Sequence, residues 1–194
     1  MILLPCPFVF LRHGETDWNR QRRAMGQSDL PLNATGRAQA AAARDLLRGT
    51  AIGAVYSSPL QRARDTAAIV NGVLQRPLIE IPDLAEVRWG IAQGRERGDW
   101  EAAWRAGAPI DGAESFAAFL ARGLAAINAV LADARRFAAP PLIVAHGGIY
   151  WAIDRALGAA TPGAGGGDIG NAQPLRHSPP RTPDGTWTVA AIGS

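Results

Sequence analysis

Phe8-Val9-Phe10-Leu11-Arg12-His13-Gly14-Glu15-Thr16 changes character between two neighbouring positions. Four apolar side chains run straight into a guanidinium, an imidazole, a glycine and a carboxylate. A half-exposed strand would alternate apolar and polar residues, so this unbroken run predicts a short strand buried on both faces, as in a parallel sheet covered by helices. The polar residues then emerge at its carboxyl end. Leu142-Ile143-Val144-Ala145, followed by His146-Gly147-Gly148, repeats the pattern far along the chain.

The segments between these runs read as alternating helices and strands. Asn33 is the N-cap of a helix that continues through Leu46-Leu47 and stops at Gly49. Ala54-Val55-Tyr56 is a second strand, and Ser58-Pro59 supplies an N-cap and a first-turn proline for a helix carrying Leu60, Ala63, Ala67, Val70 and Leu74. Residues 77–86 hold a short strand. Residues 90–109, with Trp100 and Trp104 between glycines, form an irregular excursion. Asp111-Gly112-Ala113-Glu114 resembles a capping box ahead of a helix in which Phe116, Phe119, Leu120, Leu124, Ile127, Leu131 and Ala134 recur at helical spacing. A helix over 149–157 closes at Gly158, residues 161–170 are a glycine-rich loop without a catalytic role, and 175–177 pairs with 186–192 as a hairpin. The expectation is one domain over 1–194: α/β, a three-layer α/β/α sandwich around a mostly parallel sheet. Ligands of such sheets bind at the strand carboxyl ends, where Arg12, His13 and His146 fall.

Composition narrows the function. At 194 residues, 47% hydrophobic and 19% charged, the chain has enough apolar surface for a core and is not disordered. Cys6 is the one cysteine, so no intrachain disulfide forms and a reducing, cytoplasmic setting is expected. Pro5 and Pro7 interrupt the apolar start far short of a membrane span, and it lacks the basic opening of a signal peptide. The three histidines have no metal-ligand spacing, so neither a metal nor a cofactor is expected. All 20 basic residues are arginine, but acidic residues interleave with them and the net charge is +3. That argues against a nucleic-acid partner, while arginine suits bidentate contact with phosphate or carboxylate.

The Arg12-His13-Gly14 corner has a specific chemical fitness. A neutral imidazole is a competent nucleophile, and the neighbouring guanidinium disfavours its protonation. Further runs follow in order: Asp17-Trp18-Asn19, Arg23-Ala24-Met25-Gly26-Gln27, Leu30-Pro31-Leu32-Asn33-Ala34-Thr35-Gly36-Arg37, Ser57-Ser58-Pro59-Leu60-Gln61-Arg62-Ala63-Arg64-Asp65-Thr66-Ala67, Leu84-Ala85-Glu86, Gly112-Ala113-Glu114-Ser115 and Ala145-His146-Gly147-Gly148. Together, over residues 8–158, they resemble the histidine phosphatase superfamily, also called the phosphoglycerate mutase-like family.

The resemblance implies a metal-independent phosphomonoesterase acting on a small phosphorylated metabolite in two steps. It makes His13 the nucleophile that becomes phosphohistidine and Glu86 the proton donor. Arg12, Arg62 and His146 hold the phosphoryl oxygens, with Asn19 and the amide of Gly147 in support. The family usually continues beyond that acid with phenylalanine-glycine and then tryptophan-glutamate-glycine. This chain has Val87-Arg88-Trp89-Gly90-Ile91-Ala92-Gln93-Gly94 instead, so Glu80 and Glu96 stand as alternative acids. Length and Met25 favour a phosphatase over a mutase, and the retained site residues argue against a non-catalytic sensor. Residues 88–115, with Trp104 among them, are expected to read the leaving group. Cys6 and Arg12 have the spacing of cysteine-dependent phosphatases, but the apolar run between them cannot curl around an anion. His177 is expected at the surface.

Overall fold

The computed structural model describes residues 2–158, 169–182 and 185–193. In chain order its elements are β1 (Phe8–Arg12), α1 (Asp17–Arg20), α2 (Ala34–Leu46), β2 (Val55–Ser57), α3 (Gln61–Leu74) and β3 (Leu78–Glu80). There follow α4 (Asp99–Arg105), α5 (Phe116–Asp133), β4 (Leu142–Ala145), α6 (Gly147–Leu157), β5 (Pro174–Ser178) and β6 (Thr188–Ala191), with single 3-10 turns at Pro82–Leu84, Gly90–Ala92 and Ala134–Arg136. The six strands form one sheet in the order β3-β2-β4-β1-β5-β6. The first four are parallel, and the β5–β6 hairpin continues the sheet antiparallel from β1.

Side-chain alternation along the strands sorts the core into two layers. Phe8, Phe10, Tyr56, Ile143 and Ala145 face α5 and α6, where they meet Phe119, Ile127, Val130, Ile149 and Ile153. Val9, Leu11, Val55, Leu142 and Val144 face the other way, toward Ala43, Leu47, Ala67 and Val70 of the α2–α3 side. Both faces of the central strands are covered, which is why β1 and β4 read as unbroken apolar runs. Phe116–Arg136 has the length and hydropathy to cross a membrane. Here its Phe119, Leu124, Ile127, Val130 and Leu131 are buried in the first of these layers.

Several local expectations shift. α3 begins at Gln61 with Leu60 at the N-cap, so Ser58 does not cap it and Pro59 lies outside it. A proline ring disfavours helical geometry in the residue before it, which pushes Ser58 out of the turn. Ser115, not the 111–114 segment, caps α5: its hydroxyl accepts from the Ala118 amide. One-turn α1 had no periodic signal because it is too short to have a period. A reciprocal capping box between Thr16 and Asn19 makes it. The glycine-rich stretch, apart from Ile169 and Gly170, lies outside the described residues.

His177 is not at the surface. It is fully buried on β5, stacked on Phe8 with ring centroids 4.4 Å apart and planes 5° from parallel. Its Nδ1 donates to the Leu175 carbonyl (3.2 Å), which leaves Nε2 to accept from the Tyr150 hydroxyl (3.2 Å). The hairpin strand was expected, but its proline-rich flanks suggested an exposed edge, whereas β5 pairs with β1 and brings this ring into the core. Burial holds its pKa down at about 4, against 6.5 when free. The unfolded chain therefore takes up a proton below about pH 6.5 that the folded chain refuses until about pH 4. Stability is lost as pH falls through that window, by about 1.4 kcal/mol per pH unit. Chemical denaturation of His177→Phe beside wild type should show the difference in unfolding free energy narrowing at that rate on acidification. Parallel curves would mean that the ring does not titrate this way.

Candidate active site

Strand register assembles the site. Arg12 of β1 lies opposite Ala145 of β4, so His13 and His146 leave the sheet side by side. The His13 amide extends the ladder by donating to the Ala145 carbonyl (3.0 Å), and Ser58 does the same one strand over, to Val144 (3.0 Å). The two imidazoles lie 5.2 Å apart between centroids. Ser58, displaced from the helix, instead contacts His146 Nε2 through its hydroxyl (2.7 Å). Gly14 is required beside His13 because a Cβ there would collide with the backbone of Gly36 at the start of α2.

Arg62, in the first turn of α3, is 1% exposed. Its Nη1 and Nη2 donate to the carbonyls of Ser28 (2.9 Å) and Gly26 (2.7 Å), and its Nε donates to His13 Nε2 (3.2 Å). A guanidinium can only donate, so Nε2 of His13 carries the lone pair. The proton then resides on Nδ1, which donates to the Gly14 carbonyl (2.7 Å). Burial, then Arg62 and Arg12, hold the His13 pKa well below 6.5. Burial and the same arginines do so for His146. Burial also lowers Arg62 itself to about 10, which leaves it charged at neutral pH. The corner thus presents a neutral imidazole lone pair among fixed positive charges.

Glu86 faces this corner. One carboxylate oxygen accepts from the Gly148 amide at the start of α6 (3.1 Å), the other from its neighbour Val87 (3.0 Å). Its segment is clamped by Arg122 of α5. That guanidinium donates to the carbonyls of Asp83 (2.7 Å) and Ala85 (2.9 Å) and pairs with both carboxylate oxygens of Glu114 (2.9 and 3.0 Å). Burial raises the Glu114 pKa, but hydrogen bonds from Arg122 and the Arg88 amide outweigh it and leave the carboxyl below its usual range. Glu114 is therefore part of a clamp rather than a helix cap. Glu80 and Glu96, the alternative acids, are both exposed and do not line the pocket.

A pocket of about 270 Å³ opens over these groups, lined by Arg12, His13, Asn19, Met25, Gly26, Arg62, Glu86, Arg97, Arg105, Gly147, Gly148 and Trp151. Of the residues singled out in the sequence, His13, Arg12, Arg62, Glu86, Asn19 and Gly147 meet there. His146 is fully buried just behind it, and its Nδ1 has no hydrogen-bond partner among the described residues. Trp104 is not in the wall: it is 1% exposed, its Nε1 donates to the Glu114 carbonyl (2.8 Å), and it packs on Trp89 and Phe116. Arg97, Arg105 and Trp151 line the wall without having been named. The two arginines fall in the 88–115 excursion, but Trp151 comes from α6 and had no local signal. A wider recess of about 720 Å³ adjoins, sharing Arg12, Asn19 and Arg97. No group of three or more metal-ligating side chains occurs among the described residues.

Comparison with known proteins agrees with this geometry. Residues 8–173 match the family described as histidine phosphatase superfamily (branch 1). The chain is 37% identical over 147 residues to a probable phosphoglycerate mutase, GpmB, of Proteus mirabilis, covering 71% of this chain and 67% of that one. It is 43% identical over 84 residues to the uncharacterized phosphatase PhoE of Bacillus subtilis, but that match spans only 43% of this chain and 44% of the relative. Among solved structures, a mycobacterial glucosyl-3-phosphoglycerate phosphatase in complex with VO3 superposes with a TM-score of 0.79 at 29% identity, covering 96% of this chain and 97% of that one. A putative alpha-ribazole-5'-P phosphatase of Escherichia coli does so with 0.78 at 26%, covering 97% of each.

The contact between Glu86 and Gly148 can be tested directly. A Cβ at Gly148 would run into the Glu86 carboxylate, a movable group, and approach Phe119 to 2.9 Å. Gly148→Ala should therefore leave the protein folded with a modest loss of thermal stability and, on the expectation that Glu86 is the proton donor, lower turnover roughly tenfold or more. Unchanged turnover in a folded variant would show that the carboxylate position is not critical.

Proposed function

This chain belongs to the histidine phosphatase superfamily, and from that premise we propose that it hydrolyses the phosphomonoester of a small metabolite through a phosphohistidine on His13. The observation that carries the reading is the Nε of Arg62 donating to Nε2 of His13 (3.2 Å), with Glu86 lining the same pocket. The lone pair is aimed, neutral and covered by a donor that also suits a phosphoryl oxygen.

In the first step a phosphoryl oxygen takes over the Arg62 Nε–H, which frees Nε2 to attack phosphorus. The N–P bond forms as the P–O bond to the leaving group breaks, and Glu86 gives its proton to the departing oxygen. The positive charge developing on the ring is met at Nδ1–H by the Gly14 carbonyl. In the second step the Glu86 carboxylate takes a proton from water, whose oxygen attacks phosphorus. The N–P bond breaks, its electron pair returns to Nε2, and inorganic phosphate leaves. Charge spread over three phosphoryl oxygens is held by Arg12, Arg62 and the first-turn amide of Gly147. His146 completes the set in the tautomer in which Ser58 donates to its Nε2, which leaves Nδ1–H, without a partner among the described residues, for an oxygen. Asn19, fixed by the Thr16 capping box, borders the same space.

The test is phosphate release from p-nitrophenyl phosphate and from an alkyl phosphate. His13→Ala should reduce release to background on both. Glu86→Gln should slow the first step, read as the pre-steady-state burst of released alcohol or phenolate, about 10²- to 10⁴-fold on the alkyl ester and much less on the aryl ester, whose phenolate departs with little help, while steady-state release falls on both because Glu86 is also the base of the second step. Equal losses in the burst on both esters would remove Glu86 as the proton donor. Transfer between phosphoglycerate positions without phosphate release would replace hydrolysis by the mutase reading that the Proteus relative's name suggests.

A further inference from the structure

We infer that the leaving group of the substrate carries an oxyanion of its own, carboxylate or phosphate, and that Arg105 is the residue that reads it. The inference rests on the pocket being a phosphomonoester site, and it concerns the wall away from the reacting phosphorus. Among the described residues, four arginines line that pocket and Glu86 is the one carboxylate. Three of the four are engaged elsewhere. Arg62 donates through all three nitrogens, Arg12 donates from Nη1 to the Ile169 carbonyl (2.7 Å), and Arg97 pairs with Glu101 (3.4 Å).

Arg105 differs from them. It is the last residue of α4, and among the described residues no carboxylate or carbonyl takes its N–H groups. What holds it is the face of Trp151, with the guanidinium carbon 4.0 Å from the ring centroid. Stacking fixes the guanidinium plane but does not use the N–H donors, which point outward within that plane. Trp151 is itself wedged by Trp104, Phe116 and Phe119, each 6.4 Å away between centroids. The result is a planar cationic fork on a braced platform.

Its position sets the size of the ligand. Trp151 lies four residues beyond Gly147 on α6, about 6 Å further along the helix axis at 1.5 Å per residue. With the phosphoryl group placed at the helix start by the proposed mechanism, the Trp151 platform lies roughly one turn along α6, which suits a second anion carried a few carbons from the phosphorus. Arg105 is exposed, so water meets its N–H groups until a ligand binds, and only an anionic leaving group would replace that water with a counter-charge.

The experiment compares kcat/KM for size-matched pairs: phosphoglycolate with ethyl phosphate, 3-phosphoglycerate with glycerol 3-phosphate, and propane-1,3-diyl bisphosphate with propyl phosphate. Wild type should favour an anionic member by about tenfold or more, the usual range for a charge-assisted hydrogen bond. Arg105→Met, which keeps an apolar stem over Trp151, should bring that ratio close to one, and Arg105→Lys should restore part of it. Arg95→Met, which removes a similar stacked arginine from Trp100 outside the pocket, should keep the wild-type ratio. Which pairs show the preference distinguishes carboxylate from phosphate. Hydrolysis with no preference, or a preference that survives in Arg105→Met, overturns the assignment while leaving the phosphatase intact. No hydrolysis of any ester overturns both.

Discussion

A guanidinium removed from water is tolerated only when its N–H groups find acceptors, and Arg62 places its groups on two carbonyls and one imidazole nitrogen. Much of the site follows from that constraint. The carbonyls of Gly26 and Ser28 draw the 26–28 loop over the pocket, and the imidazole nitrogen must be unprotonated to accept. Thr66, one turn further along α3, joins the same frame by taking the Gly14 amide (3.0 Å) while donating to the Arg62 carbonyl (2.7 Å). His13, the turn at Gly14 and the 26–28 loop are therefore positioned around one buried cation.

The electrostatic balance follows from the same burial. Arg12 and Arg62 carry two fixed charges beside two histidines whose pKa values are held below their usual range. Among the described residues that line the pocket, Glu86 is the one carboxylate that opposes them. Such a site is short of negative charge, which the phosphoryl dianion of the proposed substrate would supply. The backbone amides of α6 and the end of its helix dipole add to the field without any titratable group. Preorganised charge of this kind is what phosphoryl transfer needs most, because its loose transition state leaves little covalent work for the protein.

The parts legible in the sequence are those set by local chemistry. The sudden change from Leu11 to Arg12 and from Ala145 to His146 located the ends of two parallel strands, and parallel pairing then made those ends neighbours. The alternation of helices with strands, a mostly parallel sheet and the N-cap at Asn33 followed from periodicity and cap chemistry, whereas the strand order did not. The parts that escaped depend on contacts distant along the chain. Arg122 reaches Glu114 and the Asp83 and Ala85 carbonyls, Trp151 meets Arg105, and His177 finds Phe8 only after β5 joins the sheet. No spacing rule relates such residues. Ser58 was misread for a local reason, because serine before proline at a helix start looks like a cap whether or not the chain turns there.

The central claim is that the His13 lone pair, held under Arg62, becomes the site of a covalent bond to phosphorus. The most direct measurement is to quench turnover of p-nitrophenyl phosphate in base and map the phosphorylated peptide by mass spectrometry. One phosphoryl group, stable in base and lost in acid, is expected on the peptide containing His13, with more of it in Glu86→Gln as hydrolysis of the intermediate slows. Turnover with no phosphorylated peptide, or with phosphate on another residue, would contradict it.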